Sequence, residues 1–186
     1  MTELLPGPWV GHEQDFDRIR PQIPEQGDII EFGVFQGGTT RQLATWGRRV
    51  WALDTYGGMP SEDFSAEHGD HDLPGKFNPS EGPWGEMSVW RMFKDFPNIC
   101  PLKGRFVETL PIIPPSIQIA FAYMDCDLYE SYHQAFSWLE KHLMPKAHVL
   151  IDDYGACAGC RKAVDEWSAD KPIEWIIACK HFIWKQ

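Results

Sequence analysis

Basic residues are in short supply: 17 lysines and arginines face 27 aspartates and glutamates, a formal charge of −10 over 186 residues. The average field of such a chain repels a polyanion, and no cluster of cations offsets it, so a nucleic-acid partner is not expected. Long apolar runs are missing as well. The longest, such as residues 119–124, fall far short of the roughly 20 residues that span a bilayer, so a soluble chain without a membrane partner is expected. Residues 1–20 are broken by Pro6, Gly7, Pro8 and four acids, which argues against a positive-then-apolar secretory leader and leaves a cytoplasmic address by default. Cysteine is sparse and odd in number, at positions Cys100, Cys126, Cys157, Cys160 and Cys179, so reduced thiols are expected rather than a disulfide framework. No repeat with a period of about 20–50 residues and no low-complexity tract is present.

What is there has the composition of one globular domain, with 43% apolar and 24% charged residues over positions 1–186. Short apolar runs alternate with helix-period segments. A leading helix is expected over 12–20, stopped by Pro21 and Pro24. Residues 28–33 read as a first strand, followed by a glycine turn and a helix over 39–46 capped by Thr39 or Thr40. A second strand covers 49–54. Residues 86–96 place Met87, Trp90, Met92 and Phe93 at helical spacing, and 98–102 form a third strand. The fourth, 116–125, is almost continuously apolar, as a parallel strand covered on both faces must be. A helix over 129–143, a fifth strand over 148–152, a helix over 159–168 and strands over 174–179 and 181–185 complete the pattern. Seven strands with interleaved helices predict an α/β fold: an open, mostly parallel sheet covered on both sides, with ligands at the carboxyl ends of its strands.

Residues 57–85 break this rhythm. Six glycines, four prolines and six acids give neither period, and so long a loop inside a compact domain reads as a lid or acceptor loop, or else as a solvated insertion.

The chemistry-bearing residues fall at strand ends. EFGVFQGG, positions 31–38, places Gly33 where a ligand can approach the backbone. Gly33, Gly37 and Gly38 do not fit the G-x-G-x-x-G spacing that seats a pyrophosphate, so a nicotinamide dinucleotide is disfavoured. Asp54 closes the second strand 21 residues after Gly33, where an acid hydrogen-bonds ribose hydroxyls in nucleotide-binding sheets; a turn acid is the alternative. Asp125 and Asp127 in MDCDLYES and Asp152 and Asp153 in LIDDYG end two strands that would be neighbours. Two unit charges about 4 Å apart repel by about 4 kcal/mol at an effective dielectric near 20, so three together oppose folding by on the order of 10 kcal/mol unless relieved. An all-oxygen set suits a hard ion, magnesium before calcium or manganese. One of the four, Asp127 first, is expected to be a helix cap instead. The C-x-x-C of Cys157 and Cys160 has the spacing of a redox dithiol or half a zinc site, but zinc lacks a second pair, and a structural start to a helix is the alternative.

EFGVFQGGT, LDTYGGMP, LKGRFVETLP, YMDCDLYES and IDDYGACAGCRKAVDEW, in this order, resemble the macrocin O-methyltransferase family of S-adenosylmethionine-dependent sugar methyltransferases. The resemblance covers residues 27–167. It implies a single-domain, Rossmann-like class I methyltransferase fold, seven-stranded with an antiparallel last strand, and a magnesium-dependent transfer to a hydroxyl of a small molecule. Carried over residue by residue, Glu31, Phe32, Gly33, Val34 and Phe35 would hold the methionine end of S-adenosylmethionine. Asp54, with Thr55 beside it, would hold the ribose, and Gly104 and Arg105 would meet the adenine side. Asp125, Asp152 and Asp153 match the family's Mg2+ ligands. Asp125 is also a proposed base, with a loop histidine as the other candidate, His68 or His71, of which His71 is preferred. Phe35, Tyr56, Tyr129 and Tyr154 are the aromatic candidates for shaping the cofactor and acceptor pockets, with plain core packing as the alternative.

The family usually carries a longer helical amino-terminal region that helps to build the acceptor pocket and a dimer contact. About 27 residues precede the first strand here, so a more open acceptor pocket is expected, with a homodimer left open. A catechol-like phenol is the alternative acceptor, and a non-catalytic cofactor-binding module the alternative class.

Overall fold

The structure, a computed structural model, describes residues 13–71, 74–81, 85–178 and 180–186. Residues 1–12, Cys179 and the side chains of Met87 and Met92, on which some expectations rested, lie outside the described set. Among the described residues, seven strands form one sheet: β1 (Asp28–Phe32), β2 (Val50–Asp54), β3 (Ile99–Lys103), β4 (Ile119–Met124), β5 (Leu143–Ile151), β6 (Ile173–Ile177) and β7 (His181–Trp184). Their order is β3-β2-β1-β4-β5-β7-β6. The pairs from β3 to β5 are parallel, and β7 runs antiparallel to both β5 and β6. The expected α/β architecture with an antiparallel last strand is therefore present.

Helices α1 (Glu13–Ile19), α2 (Gly38–Ala44), α3 (Gly85–Lys94), α4 (Phe106–Thr109), α5 (Tyr129–Leu139) and α6 (Ala158–Ser168) connect the strands. Alternate strand residues explain the layering, because successive side chains point to opposite faces. Ile30, Phe32, Ala122 and Met124 enter a cluster with Tyr132, Phe136 and Leu139 of α5 and Cys160 and Val164 of α6. Ile29, Phe121 and Tyr123 enter a second cluster with Phe16 and Ile19 of α1 and Leu43 of α2. Every residue of β4 is buried, as a central strand covered on both faces requires.

Three local expectations are corrected. The helix read over 129–143 ends at Leu139, and Leu143 already pairs with Ile119 in β5. The pairing then jumps to Phe121 and His148 across a bulge where Lys146 takes a φ of 65°; Leu143 continues the helical apolar period, which hid the early strand. Helix α2 is preceded by Gly37 in the left-handed region with no side-chain cap, so neither Thr39 nor Thr40 caps it. Helix α4 was not expected at all. Four residues are too few to show a period, and its start is made by a reciprocal bond in which the Arg105 N–H donates to Glu108 Oε2 (3.0 Å).

The described residues of this loop, 57–71 and 74–81, have more order than its composition predicts. Met59 N–H donates to Lys76 O and Gly75 N–H to Met59 O, both at 2.8 Å, closing a neck beneath it. A Cβ on Gly58 would lie 2.3 Å from Gly75 O, so the two strands of the neck touch only because glycine is there. Beyond the neck, Ala66–His68 and Pro79–Glu81 form single 3-10 turns.

Candidate active site

The carboxyl ends of β1, β2, β4 and β5 open into a cavity of about 550 Å³. Gly33 follows β1 with a φ of 86°, and a Cβ there would sit 1.7 Å from the Asp125 carbonyl oxygen. Only glycine allows the turn after β1 to lie against the end of β4. Gly33, Val34 and Phe35 line the cavity. Glu31 and Phe32 stand behind that wall. Phe32 is core, packed edge-to-face on Phe106 at 5.1 Å. Glu31 is buried and accepts a hydrogen bond from the Thr40 hydroxyl, which is where that threonine's capping potential went. Burial, opposed by the Thr40 bond and reinforced by Asp54, pushes the Glu31 carboxyl up to about 8.

Asp54 faces the cavity from the end of β2. Its Oδ2 accepts the N–H groups of Val34 (2.7 Å) and Phe35 (2.9 Å), and its Oδ1 accepts the N–H of Tyr56 (2.6 Å). The Thr55 hydroxyl donates to Gly58 O at 2.6 Å, so its 3.3 Å approach to Asp54 does not use its proton. A carboxylate offers about four acceptor positions, and one on Oδ1 is left over. Asp54 is thus the turn acid of the alternative reading, and it also lies on the cavity wall. Gly104 lies beside it, its N–H donating to Asp54 O at 3.0 Å, and Arg105 follows on the cavity wall.

Asp125, Asp127, Asp152 and Asp153 all line the cavity. One oxygen from each of Asp125, Asp152 and Asp153 lies within 4.8 Å of the others, an arrangement that could hold a metal ion. Burial first, and then the charges of Asp153, Asp152, Asp127 and Glu31, hold the Asp125 carboxyl well above the usual carboxylate range. Asp153 is the most buried of the set, and its Oδ2 accepts the N–H of Asp127 at 3.0 Å. The Tyr132 hydroxyl lies 2.9 Å from both that oxygen and Met124 O.

Asp127 is not the helix cap expected of it. It occupies the left-handed region at a φ of 57°, Leu128 precedes α5 as its N-cap, and the Tyr129 N–H is taken by Asp70 of the loop. The oxygens of Asp127 and Asp153 and the sulfur of Cys157 form a second close group, with Cys157 Sγ 3.5 Å from Asp127 Oδ1. Cys157 and Cys160 stand at the start of α6, both buried. Burial pushes the Cys160 thiol up, the reverse of the lowering expected at a helix start.

The loop reaches the same cavity. His71 is exposed on its wall, whereas His68 lies outside it, its ring 4.0 Å from that of Tyr129. Of the expected aromatic residues, only Phe35 lines the cavity. It meets Phe77 edge-to-face at 5.9 Å, and Lys76 Nζ sits 4.7 Å over the Phe77 ring. Tyr56 is core, and Tyr154 donates to Asp165. Sequence reasoning missed Asp63, buried at the cavity wall, where it accepts Arg105 Nε at 3.1 Å and lies 3.3 Å from the Ser131 hydroxyl. The only signal for it was an acid count.

A profile for the family described as Macrocin-O-methyltransferase (TylF) matches residues 17–179. The demethyldecarbamoylnovobiocin O-methyltransferase of Streptomyces niveus is 31% identical over 164 residues, 82% of this chain and 62% of that protein. The 8-demethyl-8-(2,3-dimethoxy-alpha-L-rhamnosyl)-tetracenomycin-C 4'-O-methyltransferase of Streptomyces olivaceus is 32% identical over 154 residues, 76% of this chain and 58% of that protein. The chain therefore spans about three fifths of the length of these curated relatives. The solved structure of the O-methyltransferase NovP superposes with a TM-score of 0.70 at 29% identity, covering 93% of this chain and 79% of that one.

Proposed function

This chain belongs to the macrocin-O-methyltransferase family, and from that premise we propose that it moves a methyl group from S-adenosylmethionine to a hydroxyl of a small molecule, a sugar on a natural product, with magnesium required. The observation that carries this reading is the placement of Asp125, Asp152 and Asp153, oxygens within 4.8 Å, in the cavity that Gly33, Asp54 and Gly104 also line. The donor set fits a hard divalent ion. It is all oxygen, and repulsion among its members is one cause of the raised proton affinity of Asp125. When bound there, magnesium supplies the Lewis acidity that makes a weakly acidic hydroxyl easier to deprotonate.

S-adenosylmethionine supplies the methyl group as a sulfonium. The chain's own residues bind and orient. Gly33, Val34 and Phe35 hold the amino-acid end, with Glu31 and Phe32 supporting that turn from behind. Asp54, with Thr55 fixing the following turn, holds the ribose through its remaining acceptor position. Gly104 borders the adenine, and Arg105, tied to Asp63, fixes the loop beside it. The acceptor's proton leaves to a carboxylate oxygen of Asp125 or a ring nitrogen of His71, both on the cavity wall. Fixing the two reacting centres against each other supplies much of the acceleration. The net charge of −10 suits a small-molecule partner better than a nucleic acid. Free Cys100, Cys126 and Cys160 suit the reducing cytoplasm.

A methyl-transfer assay with the cofactor, magnesium and a panel of glycosides and catechols tests the reading. Transfer to a glycoside, abolished by a chelator and restored by magnesium, is the expected result. Transfer confined to catechols would move the acceptor to a planar phenol. Cofactor binding with no transfer to any acceptor would make the chain a binding module.

A further inference from the structure

The C-A-G-C run at positions 157–160 drew attention for its cysteines, but the residue that the packing singles out is Gly159. It lies in α6 at an ordinary helical φ, so its backbone does not call for glycine. Space does. A Cβ there would lie 1.9 Å from Asp70 Oδ1 and 3.1 Å from Asp70 Cγ. The neighbouring Gly69, with a φ of 94°, would in turn put a Cβ 3.0 Å from the Ala158 methyl. The loop at 69–70 is thus laid directly onto the first turn of α6.

Asp70 does more than fill that seat. Its Oδ1 accepts the backbone N–H of Tyr129 at 3.0 Å, satisfying one of the donors that the start of α5 leaves without an intrahelical partner. Its Oδ2 accepts the N–H of Ser65 at 2.8 Å, closing the turn at 65–70 on itself. A second buried acid of the same loop, Asp63, holds Arg105 and approaches Ser131 on the same first turn of α5. Both loop acids therefore land within two residues of each other on the helix that follows Asp125 and Asp127. His71, next in the chain after Asp70, is at the cavity wall.

We infer that Asp70 is a positioning residue for the methyl transfer: seated on Gly159 and on the first N–H of α5, it clasps segment 61–71 over the cavity and fixes His71 in its wall. The inference rests on the proposed function for its catalytic consequence but not for the clasp itself, which the contacts define. Gly159 serves as the socket of the loop's carboxylate, and this gives the C-A-G-C run a role that does not involve its thiols.

The test uses the full chain in two measurements, hydrogen–deuterium exchange and steady-state methyl transfer, on wild type, G159A, D70A and D70N. Alanine is the better helix former, so G159A leaves exchange within α6 no faster while its methyl displaces Asp70. Exchange across 61–71 is expected to rise about tenfold or more in G159A and D70A. The kcat should fall about tenfold in both, with cofactor affinity held within about threefold. D70N, which keeps one acceptor oxygen, should fall between these and wild type. Unchanged exchange across 61–71 in G159A and D70A overturns the clasp. Faster exchange with undiminished kcat overturns the positioning role. A wild-type chain that transfers methyl to no acceptor overturns the proposed function and with it the positioning role, while the exchange result still decides the clasp.

Discussion

Halfway along β5, His148 faces His181 of β7, both buried, with Nδ1 of one 2.9 Å from Nε2 of the other. At the tip of the same strand, Asp152 and Asp153 stand within 4.8 Å of Asp125. The histidines answer each other: two neutral rings need one donated proton between them, and each ring is then satisfied at that contact. Burial lowers the His148 ring, and burial with the His148 charge takes His181 down to about 4, partly opposed by Asp15. The aspartates share one sign, and each adds to the difficulty of ionising Asp125. The histidine pair is closed within the fold, whereas the aspartates repel one another, a repulsion that the proposed cation would relieve.

The largest effect expected from breaking this contrast lies at the acid group. Replacing Asp152 and Asp153 together with alanine should lower kcat by more than about ten-thousandfold, roughly 5–6 kcal/mol, with cofactor affinity largely kept. Methyl-transfer rates and cofactor titration check both halves. Next comes Glu31, whose folded-state pKa of about 8 exceeds its ordinary 4.5. Its contribution is fully present below pH 4.5 and is lost as pH rises towards 8, by on the order of 5 kcal/mol. Glu31→Gln should therefore flatten the stability profile in that window, read from denaturant unfolding at a series of pH values.

The histidines run the other way. Because the His181 pKa is depressed to about 4, its contribution is present above pH 6.5 and is lost as pH falls towards 4. At about 1.4 kcal/mol per pH unit this amounts to no more than about 3.5 kcal/mol. The double variant His148→Leu with His181→Leu should remove that acid-side slope while leaving the alkaline slope from Glu31 in place. The smallest effect is expected from Cys157→Ser with Cys160→Ser. A buried hydroxyl in place of a thiol costs about 1 kcal/mol of stability, and transfer rates should stay within about threefold. A complete loss of activity there would return the thiols to the chemistry.

How much of this was readable from the amino acids follows from the range of the interactions. The apolar run of β4, the parallel order and the acids at the strand tips are local patterns, and they are where the spacing placed them. Asp54 and Gly33 were also marked by position alone, one at a strand end and one in a glycine turn. The bonds of Asp63 to Arg105, 42 residues on, and of Asp70 to Tyr129, 59 residues on, leave no local trace. Both acids were submerged in a loop whose composition predicts too little apolar area to order itself. The loop is ordered by carboxylates that land on another element's helix start, a device that a count of apolar residues does not register. Asp127 was misread for the related reason that capping is a local habit of aspartate, and the cap of α5 is supplied from 59 residues away instead. Thr40 resembled a cap until Glu31, its partner across the β1–α2 turn, claimed the hydroxyl.

The most direct measurement of the central claim is isothermal titration of Mg2+ into the wild-type chain and into the Asp152→Ala, Asp153→Ala variant. The account predicts one ion bound per wild-type chain, with protons released on binding, and no binding by the variant. Equal binding by both chains, or none by the wild type, would contradict it.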